Sequence, residues 1–275
     1  MSDERRLESS TPRNHRGTGL KASMQTARAM VQTLYDRNLK PGQRYLSESD
    51  GIQEHGVGRG TYREALRFLE LQGVLVMRSG PAGGPEVSQP DWRNLASTIA
   101  LLMQFAGAPL RSILDARIAI EPGMAEFAAS HATLSEIDEM EAQLALIEAS
   151  IGHYESWSAA YHGYWEALAR SSHNQLLAAL SPALRAIVNS GGFVPDEPYR
   201  VETLQRLKTI HAAVAAQDPA KARECMLELE LEFRRRLSEG YPRQLDRVVC
   251  WPDVVVTLDH GALGTEDLSR DADPS

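Results

Sequence analysis

The chain has no apolar run long enough to cross a bilayer, and its first residues, MSDERRLESS, lack the apolar core of an export signal. The sequence therefore predicts a protein that stays in the cytoplasm. Cysteine is scarce: Cys225 and Cys250 are too few for a disulfide framework and lack the paired spacing of a zinc site. Internal repeats and low-complexity tracts are absent. So are a nucleophile motif, a phosphate-cradling loop and a cofactor fingerprint, which leaves an enzyme with little support and no cofactor expected. What the chain does have is length, 275 residues with 43% hydrophobic content, enough for more than one core.

The net charge of −8 is unevenly distributed. Residues 1–90 carry 13 Lys and Arg against 10 Asp and Glu, a net +3, whereas residues 91–275 carry 16 against 27, a net −11. An acidic body behind a mildly basic head turns the head toward a polyanion, so the overall acidity does not exclude a DNA-binding function.

The segment VGRGTYREALRFLELQGV, Val57 to Val74, combines a turn, a basic helix face and a helix stop. Upstream, Ser47 to Glu54 reads as a short helix that Gly56 ends in the left-handed conformation before Val57 packs inward. A second helix starts near Arg59 to Thr61, with Ala65, Leu66, Leu69 and Leu71 as its buried stripe and Gly73 as its stop. Arg59, Thr61, Arg63 and Arg67 lie mostly off that stripe and near the helix start, where a recognition helix contacts bases and phosphates. A strand over Val74 to Met77 and the glycine-rich SGPAGGPEV, Ser79 to Val87, form a hairpin wing. The same pattern would also suit a solvated face on an ordinary α+β domain.

PGQRYLSES from Pro41, VGRGTYREALRFLELQGVL and the glycine wing together resemble the winged helix-turn-helix of the GntR family of bacterial transcription regulators. The resemblance implies DNA contacts at Arg59 and Arg63, a polar contact at Thr61 and a wing tip at Gly80. Two positions depart from the family pattern. Ser49 stands where an arginine commonly follows the glutamate matched by Glu48, and Gly58 stands where a small hydroxyl residue is usual, which implies a shifted operator preference.

Residues 1–20 are polar and read as a mobile arm, 21–88 as the DNA-binding domain, and 89–91, Gln-Pro-Asp, as a linker. Residues 92–240 are dominated by helical periodicity: Trp92 to Phe105, Leu110 to His131, Ser135 to Ile151, Tyr154 to Ser172, Asn174 to Asn189, Tyr199 to Gln217 and Pro219 to Glu239. Thr133 to Glu136 is a capping box, and Asp218-Pro219 is an N-cap followed by proline. The expectation is a mainly α chain, a winged helix-turn-helix followed by an all-α bundle, with 241–275 as a partly disordered extension.

DARIAIEPGMAEFAA from Asp115, WEALARSSHNQLL from Trp165 and IHAAVAAQDPAKAREC from Ile210 resemble the effector-binding and dimerisation domain, called FCD, of the FadR-like subfamily. In many such domains an Asp and three His hold a metal that helps to bind a carboxylate. Here Tyr161, Trp165, Leu207 and Leu229 fall at those four positions. None is a metal ligand of that kind, so the resemblance implies a metal-free member. His162 and Glu166, four apart on one helix, with His211, are the alternative, a shifted metal site. Tyr161, His162, Glu166 and His211 are also the residues that an enzyme with a DNA-binding appendage would use for acid and base chemistry.

For a metal-free pocket the candidates are Tyr161, Trp165, Leu207, His211 and Leu229. Arg117 falls at the subfamily's arginine position, where its planar fork can hold a carboxylate; its other reading is an ion pair with Glu121 one turn away. The effector expected is a mostly apolar organic acid or its coenzyme A thioester, and Arg117→Ala is expected to weaken its binding while leaving the fold intact. By resemblance the chain is a homodimeric repressor of a palindromic operator, released by its ligand. A nonspecific architectural DNA protein is the competing class.

Overall fold

The structure is a computed structural model that describes residues 15–80 and 83–259. The chain divides between Pro90 and Asp91 into two compact units. The first begins with helix α1 (His15–Asp36), which starts inside the stretch expected to be a mobile arm; residues 1–14 lie outside the described residues. Helix α2 (Glu48–His55) is opened by Ser47, whose hydroxyl accepts from the Asp50 amide, and is closed by Gly56 at φ +60°. Helix α3 (Arg59–Leu71) follows after three residues, Gly56 to Gly58.

The core of this unit comprises Ala27, Met30 and Leu34 of α1, Tyr62, Ala65, Leu66 and Leu69 of α3, and Leu75 and Val87 of the wing. Tyr62 is fully buried, whereas Leu71, expected in the stripe, is 77% exposed. The correction follows from helix geometry. Tyr62 lies three and seven residues before Ala65 and Leu69 and continues their face, while Leu71 is only two residues beyond Leu69 and points elsewhere. The wing pairs β1 (Leu75–Arg78) with β2 (Gly84–Val87) in antiparallel register, Leu75 opposite Val87 and Arg78 opposite Gly84.

The second unit is helical: α4 (Trp92–Phe105), α5 (Arg111–His131), α6 (Leu134–Ala149), α7 (Tyr154–Ser171), α8 (Gln175–Asn189), α9 (Glu197–Ala215), α10 (Pro219–Gly240), α11 (Pro242–Asp246) and α12 (Trp251–Asp259). The local punctuation explains the boundaries. Asp91, expected in the linker, instead caps α4 by accepting from the Arg93 amide, Thr133 and Glu136 form the capping box of α6, and Asp218 caps α10. Helix α5 packs along α10 and also contacts α7, α8 and α9, so it runs through the centre of the unit.

Two apolar clusters fill this unit. One, around Met124, Met140, Trp157, Tyr164, Trp165, Leu207 and Met226, joins α5, α6, α7, α9 and α10. The other, around Ala96, Leu114, Leu184 and Ile187, joins α4, α5 and α8. Leu245, Val249 and Val254 complete the second cluster. The expected partly disordered extension, 241–275, thus contains two helices over 242–246 and 251–259 and packs into the core as far as Val254, while residues 260–275 lie outside the described residues. Trp251 fixes this segment to α4 by donating its indole N–H to Ser97 Oγ at 2.9 Å.

Candidate DNA-recognition helix and buried charged core

Burial of Tyr62, Ala65, Leu66 and Leu69 leaves Arg59, Arg63 and Arg67 on the open side of α3. The Arg59 and Arg63 side chains are 78% and 63% exposed, so most of each side chain is open to solvent and to a ligand. Both reach Glu48 of α2, with Nε to carboxylate distances of 3.4 and 3.5 Å. Thr61 is half-buried in the first turn. Gly58 gives α3 no side-chain cap, a consequence of the departure from a hydroxyl residue there.

Gly51 sets how closely α2 meets α3. A Cβ on it would lie 2.0 Å from the Tyr62 hydroxyl, a distance that no side chain tolerates. Gly80, at φ +105°, provides the left-handed backbone at the start of the wing loop, and Arg78 and Glu86 pair at 2.8 Å across the strands. Arg59, Thr61, Arg63 and Arg67 therefore lie on one helix that is followed directly by a hairpin.

In the second unit the site residues divide into two sets. Leu207 and Leu229 are buried in the first apolar cluster, where the Leu207 carbonyl accepts from the Tyr164 hydroxyl. His211 is half-buried on the same helix as Leu207, with burial lowering its pKa and Glu141 raising it. Tyr161, Trp165 and Arg117 converge on a different feature, a cluster of four buried charges.

Arg117 and Glu121 of α5, Arg185 of α8 and Glu230 of α10 are each less than 5% exposed. Arg117 Nη2 donates to Glu230 Oε1 at 2.8 Å, and its Nε lies 3.3 Å from Glu121 Oε1. Arg185 Nη2 bridges the two carboxylates, donating to Glu121 Oε2 and, at 3.1 Å, to Glu230 Oε1. Ser181 donates its hydroxyl to Glu121 at 3.0 Å, and Arg185 Nη1 reaches the Tyr161 hydroxyl at 3.4 Å. Aromatic faces close the cluster, with Arg185 over Trp165 at 3.3 Å and Arg117 over Phe233 at 5.0 Å.

Burial works against the Arg117 charge, but Glu230 and Glu121 outweigh it and hold the guanidinium above its ordinary pKa. Glu230 is likewise opposed by burial and held below the usual carboxylate range by Arg117 and Arg185. Glu121 goes the other way. Burial and the neighbouring Glu230 push it up to about 7 despite Arg185 and Arg117. Arg117 Nε, Arg185 Nε, Glu230 Oε2 and Trp165 Nε1 are buried without a hydrogen-bond partner.

Both readings of Arg117 are thus affected. The pair with Glu121 is present, and the guanidinium is also committed to Glu230. Its removal would leave Glu230 facing only Arg185, so the expectation that Arg117→Ala spares the fold is replaced by one of strong destabilisation. Arg185 and Glu230 were not identified from sequence. Arg185 carried a usable signal as the one charged residue of α8, QLLAALSPALRAIVN, whereas Glu230 lies in the charge-rich ELELEFRRR and stands out in no way.

The four positions that the resemblance matched to metal ligands do not fit a metal: Trp165, Leu207 and Leu229 are core residues, the Tyr161 hydroxyl faces Arg185, and the cation against Trp165 is Arg185. The shifted set is not assembled either. His162 donates Nδ1–H to the Ser158 carbonyl at 2.6 Å, and its Nε2 accepts from Asn189 at 2.7 Å. Glu166 accepts from the Trp92 indole at 3.1 Å. Among the described residues no group of three His, Cys, Asp or Glu side chains is placed to hold a metal ion. Nor is any helix among them long and apolar enough to cross a membrane.

A winged helix-turn-helix unit followed by a helical unit defines a two-domain DNA-binding regulator. Comparisons with known proteins agree. Residues 112–231 match the FCD domain family model. The galactonate operon transcriptional repressor of Escherichia coli K12 is 26% identical over 205 residues, covering 72% of this chain and 89% of the relative. The Uxu operon transcriptional regulator of the same organism is 29% identical over 238 residues, covering 81% and 89%. A solved Streptococcus agalactiae GntR structure, 21% identical, has the same fold, with a TM-score of 0.61 over 78% of this chain and 99% of that one. The chain thus carries an FCD domain over residues 112–231 and is similar over most of its length to transcriptional regulators, which are not enzymes, the solved neighbour being a GntR.

Proposed function

We propose that the protein is a ligand-responsive repressor that binds a palindromic operator as a homodimer in the cytoplasm. In this reading Arg59 and Arg63 read bases, Thr61 and Arg67 add polar and phosphate contacts, and the wing carrying Gly80 lies along the backbone. The observation that carries the proposal is the pair of largely exposed arginines on the open face of α3. Two heads on a dimer suit half-sites about one helical turn, roughly 34 Å, apart.

For the second unit we propose a metal-free effector site beside Tyr161, Trp165 and Arg117, which takes a small organic acid. The four buried charges support a hydrophilic acid over an acyl chain, because they would leave an apolar ligand facing unpaired polar atoms. The relative named for the galactonate operon makes a sugar acid the natural first trial. An acid that binds one dimer state better than the other shifts DNA affinity by that difference alone.

Selection of bound duplexes from a random pool tests the function. Enrichment of an inverted repeat is expected, and retention of sequences in proportion to their abundance would point to an architectural DNA protein instead.

A further inference from the structure

The charged core is electrically balanced, with two guanidinium groups against two carboxylates. It rests at the crossing of α5, α8 and α10, closed by Trp165 and Phe233. An acid that reached the two arginines would bring a third negative charge to a place sealed from water, where an uncompensated charge costs far more than its hydrogen bonds return. The balance is restored if one resident carboxylate becomes neutral.

Resting on the reading that a small acid binds here, we propose that the acid enters this cluster as an anion and that Glu121 takes up one proton from solvent as it does so. Arg185 Nη2, released from the neutral Glu121 carboxyl, then turns to the incoming carboxylate, and Ser181 still holds Glu121. The unpartnered Nε atoms of Arg117 and Arg185 are spare donors for the same anion. Glu121 rather than Glu230 takes the proton because the two guanidinia favour Glu230: its Oε1 accepts from both, at 2.8 and 3.1 Å, whereas Glu121 has its one arginine hydrogen bond from Arg185.

The groups facing Glu121 from each packed element are Arg117 on its own helix, Tyr161 on α7, Arg185 and Ser181 on α8, and Glu230 on α10; Tyr199 on α9 lies close enough to feel Arg117 and Glu230. Of these, Glu121 is the carboxyl whose ordinary charge is already disfavoured, by burial and by Glu230. The regulatory consequence is that a falling pH strengthens the response to the acid.

Sodium formate is the probe, a carboxylate small enough for a closed site, added to the full chain at constant ionic strength against sodium chloride. Formate affinity is read from the rise in unfolding temperature at pH 7, 8 and 9. The expected result for the natural chain is a loss of apparent affinity that is several-fold from pH 7 to 8 and approaches tenfold from pH 8 to 9, where close to one proton accompanies each anion. In Glu121→Gln, neutral at every pH, formate should bind with a strength that does not change from pH 7 to 9; Glu230→Gln serves in the same way if the first variant does not fold. Formate binding to the natural chain that is equally strong at all three pH values would overturn the proton coupling but leave the acid site standing. Absence of formate stabilisation in the natural chain and in both variants would overturn both.

Discussion

Arg117 and Glu230 are 113 positions apart in the chain and meet at 2.8 Å inside the helical unit, their side chains 3% and 1% exposed. The contact ties α5 to α10, the most closely associated helices of that unit. Two opposite charges in a dry core hold together only when the remaining donors and acceptors are also answered, and here Arg185 and Glu121 largely complete the set.

Arg117→Ala should therefore cost about 3–5 kcal/mol in chemical unfolding, because it strands Glu230. Arg117→Met combined with Glu230→Met removes both charges, leaves the Arg185 and Glu121 pair, and should recover most of that loss. If the double variant were as unstable as the single, the loss would come from packing and not from charge.

Stability should depend on pH through Glu121. The folded chain holds the Glu121 proton up to about 7, whereas an unfolded carboxyl releases it near its ordinary value of roughly 4.3. Between those values the folded state binds more protons, so this group's contribution falls as pH rises, by at most about 1.4 kcal/mol per unit, and is fully unfavourable above 7. Unfolding of the natural chain compared with Glu121→Gln from pH 5 to 8 should show the natural chain losing ground. Parallel curves would contradict the shift.

Gly51→Ala should disable the DNA-binding unit alone. The added methyl meets the Tyr62 ring and hydroxyl, and overpacking of this kind costs about 1–3 kcal/mol. Operator binding should be lost while the helical unit unfolds at its usual temperature, a separation that calorimetry can resolve.

Glu48 competes with DNA for Arg59 and Arg63, since its carboxylate lies within 3.5 Å of both. Glu48→Gln should raise affinity for nonspecific duplex several-fold at low salt, and the gain should shrink as salt rises. Unchanged affinity would mean that neither arginine meets the phosphate backbone.

Legibility in the sequence followed the range of the interactions. Helix α3 was legible because a basic face opposite an apolar stripe is a local pattern, and its one misplacement, Leu71 in place of Tyr62, came from extending the stripe past its face. The capping residues Thr133 and Asp218 were legible for the same reason. Helices α11 and α12 were missed because each is short and they depend on Leu245, Val249 and Val254 meeting a cluster formed by distant helices. The charged core was least legible. The one-turn spacing of Arg117 and Glu121 was legible, but nothing local joins Arg185 and Glu230 to them until the bundle brings the four together.

The most direct measurement is fluorescence anisotropy of the natural chain and Arg63→Ala on the selected inverted repeat and on a scrambled duplex of equal length, at fixed salt. The account predicts that the natural chain prefers the repeat by roughly a thousandfold or more and that Arg63→Ala loses most of this preference while still binding both duplexes weakly. Equal binding of the two duplexes by the natural chain, or an undiminished preference in the variant, would contradict it.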